Sequence, residues 1–224
     1  MLKSIGYMLK DKNMKYDFDF FASAVKSLEC EKRYKHTLGV AKEAYELGMI
    51  FMPELAEKLG FAGLLHDITK DFTLEAQIKL CNEYGIKLDM DNIVPKLLHA
   101  KTGCEYARRC FGKDLIDDLV YSGIYYHTTG RHGMTLFEAI IYLADYIEVG
   151  RTFEDCVALR KYFYDSIAVC NSFEEKLEVL RKTMVMSFDL TIKNLIEESK
   201  QIDSDTVEAR NYFLINKNVF NKVS

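Results

Sequence analysis

Residues 64–71, LLHDITKD, place an imidazole and a carboxylate side by side at the end of an apolar run. A buried carboxylate without a partner is costly, so Asp67 is expected to lie near a cation. On a helix, His66 and Asp67 would point about 100° apart. Both can therefore reach one metal ion only if the ion lies beyond the helix end or between the two directions. Residues 68–70 resemble a helix end, which favours a shared ion.

Other side chains of the same chemical type adjoin apolar sequence in separate helical segments. They are His36, His99, His127 and Asp145. Nitrogen and oxygen donors without thiolates are typical of an open, hydrated site for Fe, Mn, Co or Mg rather than a closed structural zinc site. No two of the six cysteines form a C-x-x-C pair, so no zinc ribbon is indicated. The fifth histidine, His132, is expected in an exposed loop.

The segments that carry these residues are predicted to be helices. Apolar residues recur every three or four positions nearly throughout, and no alternating pattern is long enough to indicate a strand. The clearest segments begin at Tyr16, His36, Pro53, Thr73, Leu97, Leu115, Met134 and Ser172. Thr135 and Glu138 fit a capping box, and Gly85, Gly112 and Gly150 lie where helices should end.

The helical periodicity predicts an all-α protein, built as a single compact helical bundle. A chain of 224 residues with 49% hydrophobic residues can bury one sizeable core, and only two prolines interrupt it. We expect an N-terminal extension at 1–15, a main helical domain at 16–200, and a C-terminal segment at 201–224 that is partly docked or frayed.

Charge and the terminal sequence bear on partners and compartment. The formal net charge of −4 argues against a broad nucleic-acid surface. The N-terminus has no signal-peptide pattern, and the apolar runs are too short to cross a bilayer. The cysteines are expected to be reduced thiols, which predicts a cytoplasmic protein without a membrane partner. A homodimer is compatible with these features.

The order of these motifs resembles the HD-domain superfamily of metal-dependent phosphohydrolases, whose signature is a His, a later His-Asp doublet and a later Asp. The phrases RYKHTLGVA, GLLHDITK, LLHAKTG, YYHTTGRHGMT and IIYLADYIEVGR resemble, in that order, its YqeK branch of symmetrical bis(5'-nucleosyl)-tetraphosphatases. The resemblance extends from Tyr34 to Arg151, and DTVEARNYF is similar to the closing segment of that branch. It implies the helical bundle of HD-domain type.

The resemblance also implies roles for individual residues. The implied metal ligands are His36, His66, Asp67 and Asp145. Two further histidines, His99 and His127, are implied to complete a second metal site or to face nucleotide phosphates. The implied catalytic pair is Asp67 and Lys70. The implied substrate-binding residues are Arg33, His99, His127, Thr128, Gly130 and Arg151. Iron is the favoured metal, with Mn, Co or Mg as alternatives, and one or two ions are allowed.

The implied activity is symmetrical hydrolysis of diadenosine tetraphosphate to two ADP by metal-activated water. The residue types suit this reaction, because a metal lowers the pKa of its water and cations stabilise the transferring phosphoryl group.

An HD-type phosphatase acting on (deoxy)nucleotides and a non-catalytic metal-bearing nucleotide sensor remain alternatives. Alarmone hydrolases are disfavoured because HDITKD lacks their HDxxED acidic pair, and HD-GYP enzymes because no HHE or GYP phrase follows. Lys70 and Asp71 could also form a solvated ion pair, with Arg33 and Arg151 as surface residues.

Overall fold

A computed structural model describes residues 16–88 and 95–220, and within these ranges the chain forms ten α-helices and no strand. The helices are α1 Phe18–Lys26, α2 Glu31–Phe51, α3 Ala56–Leu65, α4 Leu74–Tyr84, α5 Pro95–Phe111, α6 Asp118–Tyr126, α7 Leu136–Ile147, α8 Glu154–Ala168, α9 Phe173–Glu197 and α10 Ser204–Ile215. The predicted all-α class is therefore confirmed. Across the described ranges, no helix combines the length and apolar character needed to span a membrane.

Several predicted helix boundaries coincide with the observed ones. Thr135 Oγ1 accepts a hydrogen bond from the Glu138 backbone N–H, and the Glu138 carboxylate accepts one from the Thr135 N–H, which completes the capping box. Gly85 ends α4 with φ of 69°, and Gly112 follows α5 with φ of 86°. Both glycines adopt the left-handed conformation that residues with a Cβ rarely adopt.

Gly150 does not end its helix as predicted. Helix α7 stops at Ile147, and Glu148 adopts an extended conformation with ψ of 148°. The helix therefore ends without a left-handed residue, and its last carbonyl groups require donors from elsewhere. Two arginine side chains supply such donors: Arg151 donates to the Asp145 carbonyl oxygen, and Arg160 of α8 donates to that of Ile147.

Helices α8 and α10 were not among the clearest predicted segments. Only Cys156, Leu159 and Phe163 are buried in α8, so its apolar stripe is narrow. Helix α10 packs against α9, where Phe213 is fully buried and stacks on Phe188. The predicted extension at 1–15 and the last four residues lie outside the described ranges. The division into three segments stays a prediction.

Helix α3 lies at the centre of the bundle and packs against α2, α5, α6 and α7. Gly63 permits the close approach of α2, because a Cβ at this position would lie 3.0 Å from the Cα atom of Ala41 and 3.1 Å from the carbonyl oxygen of Val40. Fully buried Leu59, Leu64 and Leu65 fill the surrounding core. This packing brings the C-terminal end of α3 next to His36 on α2.

Candidate metal centre

Five helices bring the predicted ligands together around the end of α3. His36 lies in the second turn of α2, His99 in α5 and Asp145 near the end of α7. His66 and His127 directly follow α3 and α6 as the C-cap residues of these helices. The chain thus places two of its histidines where a helix stops, and their side chains meet those of the neighbouring helices.

Main-chain carbonyl groups fix the tautomers of two of these imidazoles. His66 Nδ1 lies 2.7 Å from the Gly63 carbonyl oxygen, and His127 Nδ1 lies 2.7 Å from the Ile124 carbonyl oxygen. A carbonyl oxygen can only accept, so each Nδ1 carries the proton and donates. The Nε2 atoms are left with lone pairs, which is the form of histidine that binds a metal.

The Glu148 carboxylate fixes the tautomer of His36 in the same way. His36 Nδ1 donates to Glu148 Oε1 over 3.0 Å, and the Gly150 backbone N–H donates to Glu148 Oε2 over 2.5 Å. A Cβ on Gly39, one turn after His36, would clash with this carboxylate, so the glycine makes room for it. Although burial opposes its charge, these two donors hold the pKa of Glu148 below its usual value.

Glu148 was not predicted as a site residue. The signal available in the sequence was weak: an acidic residue directly after Ile147, three positions beyond Asp145. Its importance arises from a contact with His36, 112 positions earlier in the chain, which no local pattern contains.

The first group of candidate ligands contains His36, His66, Asp67 and Asp145. His36 Nε2 lies 2.9 Å from Asp145 Oδ1 and 3.9 Å from Asp67 Oδ2. His66 Nε2 lies 3.4 Å from Asp67 Oδ2 and 3.7 Å from Asp145 Oδ1. Two ligands that are each about 2.1 Å from an ion and at right angles lie about 3.0 Å apart. The spacing therefore suits a shared ion.

Unpaired buried atoms support the same fit. Among the described residues, His36 Nε2 and His66 Nε2 are buried and have no hydrogen-bond partner. Lone pairs at these distances repel one another unless a cation lies between them. The His and Asp cluster thus suggests a divalent metal ion.

The second group uses the other oxygen of Asp67. Asp67 Oδ1 lies 3.0 Å from His99 Nε2 and 3.4 Å from His127 Nε2, and the two imidazole nitrogens are 3.1 Å apart. Lys70 Nζ donates to His99 Nε2 over 2.8 Å and lies 3.6 Å from Asp67 Oδ1. Thr69 Oγ1, 3.0 Å from the His99 carbonyl oxygen, ties this turn to α5. An ammonium group therefore lies against the nitrogen that a second metal ion would use.

Electrostatics keep four of the candidate ligands, His66, Asp67, His99 and Asp145, in the protonation states that a metal requires. Burial works against the charge of Asp67, but the Lys70 ammonium holds its pKa well below the usual range. Burial likewise opposes ionised Asp145, whose pKa is held well below the usual range by Arg151 and His36. Burial lowers the pKa of His66 and lowers that of His99 to about 3, so both are neutral at pH 7.

The pKa of His36 is shifted in the opposite direction, upward. Burial opposes its charged form, yet the carboxylates of Asp145 and Glu148 raise the pKa of His36 to about 9. The raised pKa expresses an excess of negative charge around the imidazole. A metal ion would take the place of the proton that the imidazole otherwise gains.

A cleft of about 930 Å³ opens beside the first ligand group. Its lining includes Cys30, Arg33, His36, Glu148, Arg151 and Phe153. Arg33 Nη1 donates to Asp67 Oδ2 over 2.7 Å, and Arg151 donates through Nη2 to the Asp145 carboxylate and through Nε to the Asp145 carbonyl oxygen. Each ligand carboxylate of this group is therefore backed by a guanidinium at the wall of the cleft.

Lys70 does not form a solvated ion pair with Asp71, which was an alternative allowed by the sequence. Asp71 Oδ2 accepts from the Cys30 backbone N–H over 2.8 Å, and Asp71 Oδ1 lies 3.7 Å from Arg33 Nε. The carboxylate thus links the turn after α3 to the start of α2. Lys70 turns instead toward His99 and Asp67.

The remaining predicted residues lie in the loop after α6. Gly130 is buried with φ of 65°, and a Cβ there would lie 2.7 Å from the Phe188 ring and 2.9 Å from the Ala209 Cβ. Packing alone thus accounts for glycine at this position, and its contact with substrate stays a prediction, as does that of partly buried Thr128. His132 is exposed, as expected, and its ring contacts that of Tyr212.

The Glu148→Gln variant should bind a divalent metal about 10 to 100 times more weakly than the wild type. A glutamine has one acceptor oxygen for two donors, so its NH₂ group would face either His36 Nδ1–H or the Gly150 N–H. Titration with Mn²⁺ measures the change. Glu43→Gln is the matched control, because Glu43 is a buried carboxylate that accepts from the Tyr164 hydroxyl. Equal affinity in wild type and Glu148→Gln would contradict the expectation.

Comparison with known proteins adds a family assignment to this geometry. The family model described as HD domain matches residues 33–150. A symmetrical bis(5'-nucleosyl)-tetraphosphatase of Staphylococcus aureus is 31% identical over 82% of this chain and 87% of its own length. One of Bacillus subtilis is 30% identical over 86% of this chain and 95% of its own length. A crystal structure from Clostridium acetobutylicum, described as a predicted HD superfamily hydrolase involved in NAD metabolism, has 38% identity and a TM-score of 0.76, covering 88% of this chain and 97% of that one.

Proposed function

The chain belongs to the HD-domain family and, within it, to the symmetrical bis(5'-nucleosyl)-tetraphosphatases, and we propose that it is a metal-dependent hydrolase that splits diadenosine tetraphosphate into two ADP. The named relatives match most of this chain and are themselves matched over most of their own length. The family resemblance of the ordered motifs therefore extends through the whole site and the helices around it.

One observation carries the proposal: imidazole nitrogens and carboxylate oxygens converge at metal-binding distances directly beside three cationic side chains. His36, His66, Asp67 and Asp145 supply the convergent atoms. The cations are Arg33, Lys70 and Arg151, each in contact with a candidate ligand. A site that only stored a metal would have no need of three cations beside its ligands, two of which, Arg33 and Arg151, also line the cleft.

Each group of the site has a separate role in phosphoanhydride cleavage. A bound divalent metal supplies a water of lowered pKa and neutralises phosphate charge. Arg33 and Arg151 line the cleft and can grip phosphate oxygens of a nucleotide that enters there, since a guanidinium presents several donors in one plane. Lys70, from the turn after α3, stabilises the negative charge that develops on the phosphoryl group.

We propose iron as the ion, held by His36, His66, Asp67 and Asp145. His99 and His127 then either hold a second ion or face the phosphates, and the 2.8 Å contact between Lys70 and His99 favours the second arrangement. Imidazole and carboxylate ligands also suit Mn and Co. Metal analysis of the purified protein gives both the identity of the ion and its stoichiometry.

Incubation with Mn²⁺ or Fe²⁺ and diadenosine tetraphosphate should yield ADP alone. If one ADP half is held in the cleft, a β-phosphorus lies at the attacking water and the other ADP half leaves. In ¹⁸O-labelled water, one of the two ADP molecules should carry one ¹⁸O on its β-phosphate. Chromatography with mass spectrometry measures both outcomes, with Asp67→Asn as the inactive control.

Other product patterns would contradict this register. A mixture of ATP and AMP would mean that the water attacks at a different phosphorus. Cleavage of deoxynucleoside monophosphates without attack on the dinucleotide would favour the nucleotide phosphatase. Tight metal and nucleotide binding without any turnover would favour the sensor.

The cytoplasm is our proposed compartment for this chemistry. All six cysteines are free thiols in the structure, which supports a reducing environment. The predicted homodimer stays a prediction, and light scattering of the purified protein would test it.

A further inference from the structure

Arg160 on α8 makes three hydrogen bonds to main-chain carbonyl oxygens beside the site. Its Nε donates to the Ile147 carbonyl over 2.6 Å. Its Nη2 donates to the Glu148 carbonyl over 2.8 Å and to the Arg151 carbonyl over 2.6 Å. The guanidinium is partly buried, and the proposed chemistry gives it no role.

The main-chain segment that Arg160 contacts carries two side chains of the site and lies just after a residue that carries a third. Glu148 orients His36, Arg151 backs the Asp145 carboxylate, and Asp145 itself lies two residues before the first contacted carbonyl. Helix α7 ends here without a left-handed cap residue, so its terminal carbonyl groups depend on outside donors. A cation at a helix C-terminus also interacts favourably with the helix dipole.

We propose that Arg160 is a positioning residue, which holds residues 147–151 so that Glu148 fixes the imidazole of His36 and Arg151 faces the cleft. Arg160 acts through these two side chains and has no need to touch metal or substrate. Only an arginine supplies donors in a plane broad enough to reach three carbonyl groups of one turn. The inference rests on the proposed function only in taking His36 as a metal ligand and Arg151 as a nucleotide contact.

A purely structural cap makes a different prediction. If Arg160 only stabilises the end of α7, its removal lowers the melting temperature but leaves the folded protein with its full metal affinity. If Arg160 positions Glu148, its removal weakens metal binding at temperatures where the protein is fully folded. The effect should then overlap with that of Glu148, because both act on the same imidazole.

The experiment measures Mn²⁺ affinity and melting temperature in four variants of the full chain: Arg160→Met, Arg160→Lys, Glu148→Gln and the double variant Glu148→Gln/Arg160→Met. Arg181→Met is the control. Arg181 is a buried arginine on α9 that donates to the Phe213 carbonyl oxygen and pairs with Glu178, so its loss also removes a main-chain contact between helices.

We expect Arg160→Met to raise the Mn²⁺ dissociation constant about tenfold, as is typical for loss of a residue that orients a ligand. The double variant should bind no more weakly than Glu148→Gln alone. Arg181→Met should lower the melting temperature and leave the affinity unchanged. Arg160→Lys keeps the charge but cannot reach all three carbonyl groups, so its affinity should fall between those of wild type and Arg160→Met.

Two results would overturn the inference: unchanged Mn²⁺ affinity in Arg160→Met, or effects of the two substitutions that multiply in the double variant. If Arg160→Met does not fold, Arg160→Lys decides, and an affinity within about twofold of wild type counts against positioning. These readouts do not use the dinucleotide. Failure of the proposed function would appear separately, as a protein with the expected Mn²⁺ coupling that cleaves no diadenosine tetraphosphate.

Discussion

Asp67→Asn should lose its bound metal and about three to five orders of magnitude of turnover, the largest effect expected of any single substitution in this chain. Asp67 is the one side chain shared by both ligand groups, with Oδ2 facing His36 and His66 and Oδ1 facing His99 and His127. An asparagine has the same shape but no charge, and its NH₂ group cannot bind a metal. One of the two ligand groups would therefore meet a donor where it needs an acceptor.

Metal analysis of the purified protein, together with ADP release from diadenosine tetraphosphate, tests this expectation. Glu138→Gln is the matched control, since Glu138 is a fully buried carboxylate that pairs with Arg131. It lies seven residues before Asp145 on α7, about 10 Å away along the helix. The control should keep both metal and turnover. Equal metal content in wild type and Asp67→Asn would remove Asp67 from the ligand set.

Thermal unfolding provides a second readout of the same loss. A ligand present at 100 times its dissociation constant stabilises the folded state by about 2.7 kcal/mol. For a domain of this size, that corresponds to a rise of roughly 5–10 °C in melting temperature. Added Mn²⁺ should therefore raise the melting temperature of the wild type, whereas Asp67→Asn should respond little. The comparison needs no substrate, so it reports on the metal site alone.

The convergence of the candidate ligands could be predicted because each adjoins apolar sequence, where a buried polar side chain without a partner costs free energy. His66 and Asp67 end an apolar run, and burying a carboxylate there demands a partner. The two-helix approach that brings His36 to them depends on Gly63, which the sequence shows but whose contact with Ala41 it does not. The motif order, rather than any helix prediction, indicated which distant residues meet.

The residues that orient the ligands could not be predicted in the same way. Glu148 and Arg160 are ordinary charged residues in amphipathic surroundings, and each gains its role only through a contact between separate helices. Arg160 is needed because α7 ends without the glycine cap that Gly150 was expected to supply. Helix α8, which carries Arg160, has a narrow apolar stripe and was not among the clearest predicted segments. A local sequence pattern indicates which side chains need a partner, whereas tertiary packing determines which partners they contact.

Lys70→Met should lower turnover by about two to four orders of magnitude while the protein keeps its metal. The Lys70 ammonium lies 2.8 Å from His99 Nε2 and 3.6 Å from Asp67 Oδ1, beside the first ligand group but outside it. Its charge can therefore act on a phosphoryl group without contributing a ligand. Methionine preserves most of the side-chain volume and removes only the charge and its donors, so the change isolates the electrostatic contribution.

Metal content and turnover must be measured on the same preparation. Removing the ammonium frees the lone pair of His99 Nε2, so the metal content of Lys70→Met should equal or exceed that of the wild type. Lys58→Met is the control, because Lys58 forms a partly buried ion pair with Asp117 about 12 Å along α3 from His66. Lys70→Arg keeps a positive charge with a different shape and should retain part of the activity. An unchanged rate in Lys70→Met would exclude Lys70 from catalysis, and a loss of metal would show that its charge serves to hold the ligands rather than the transition state.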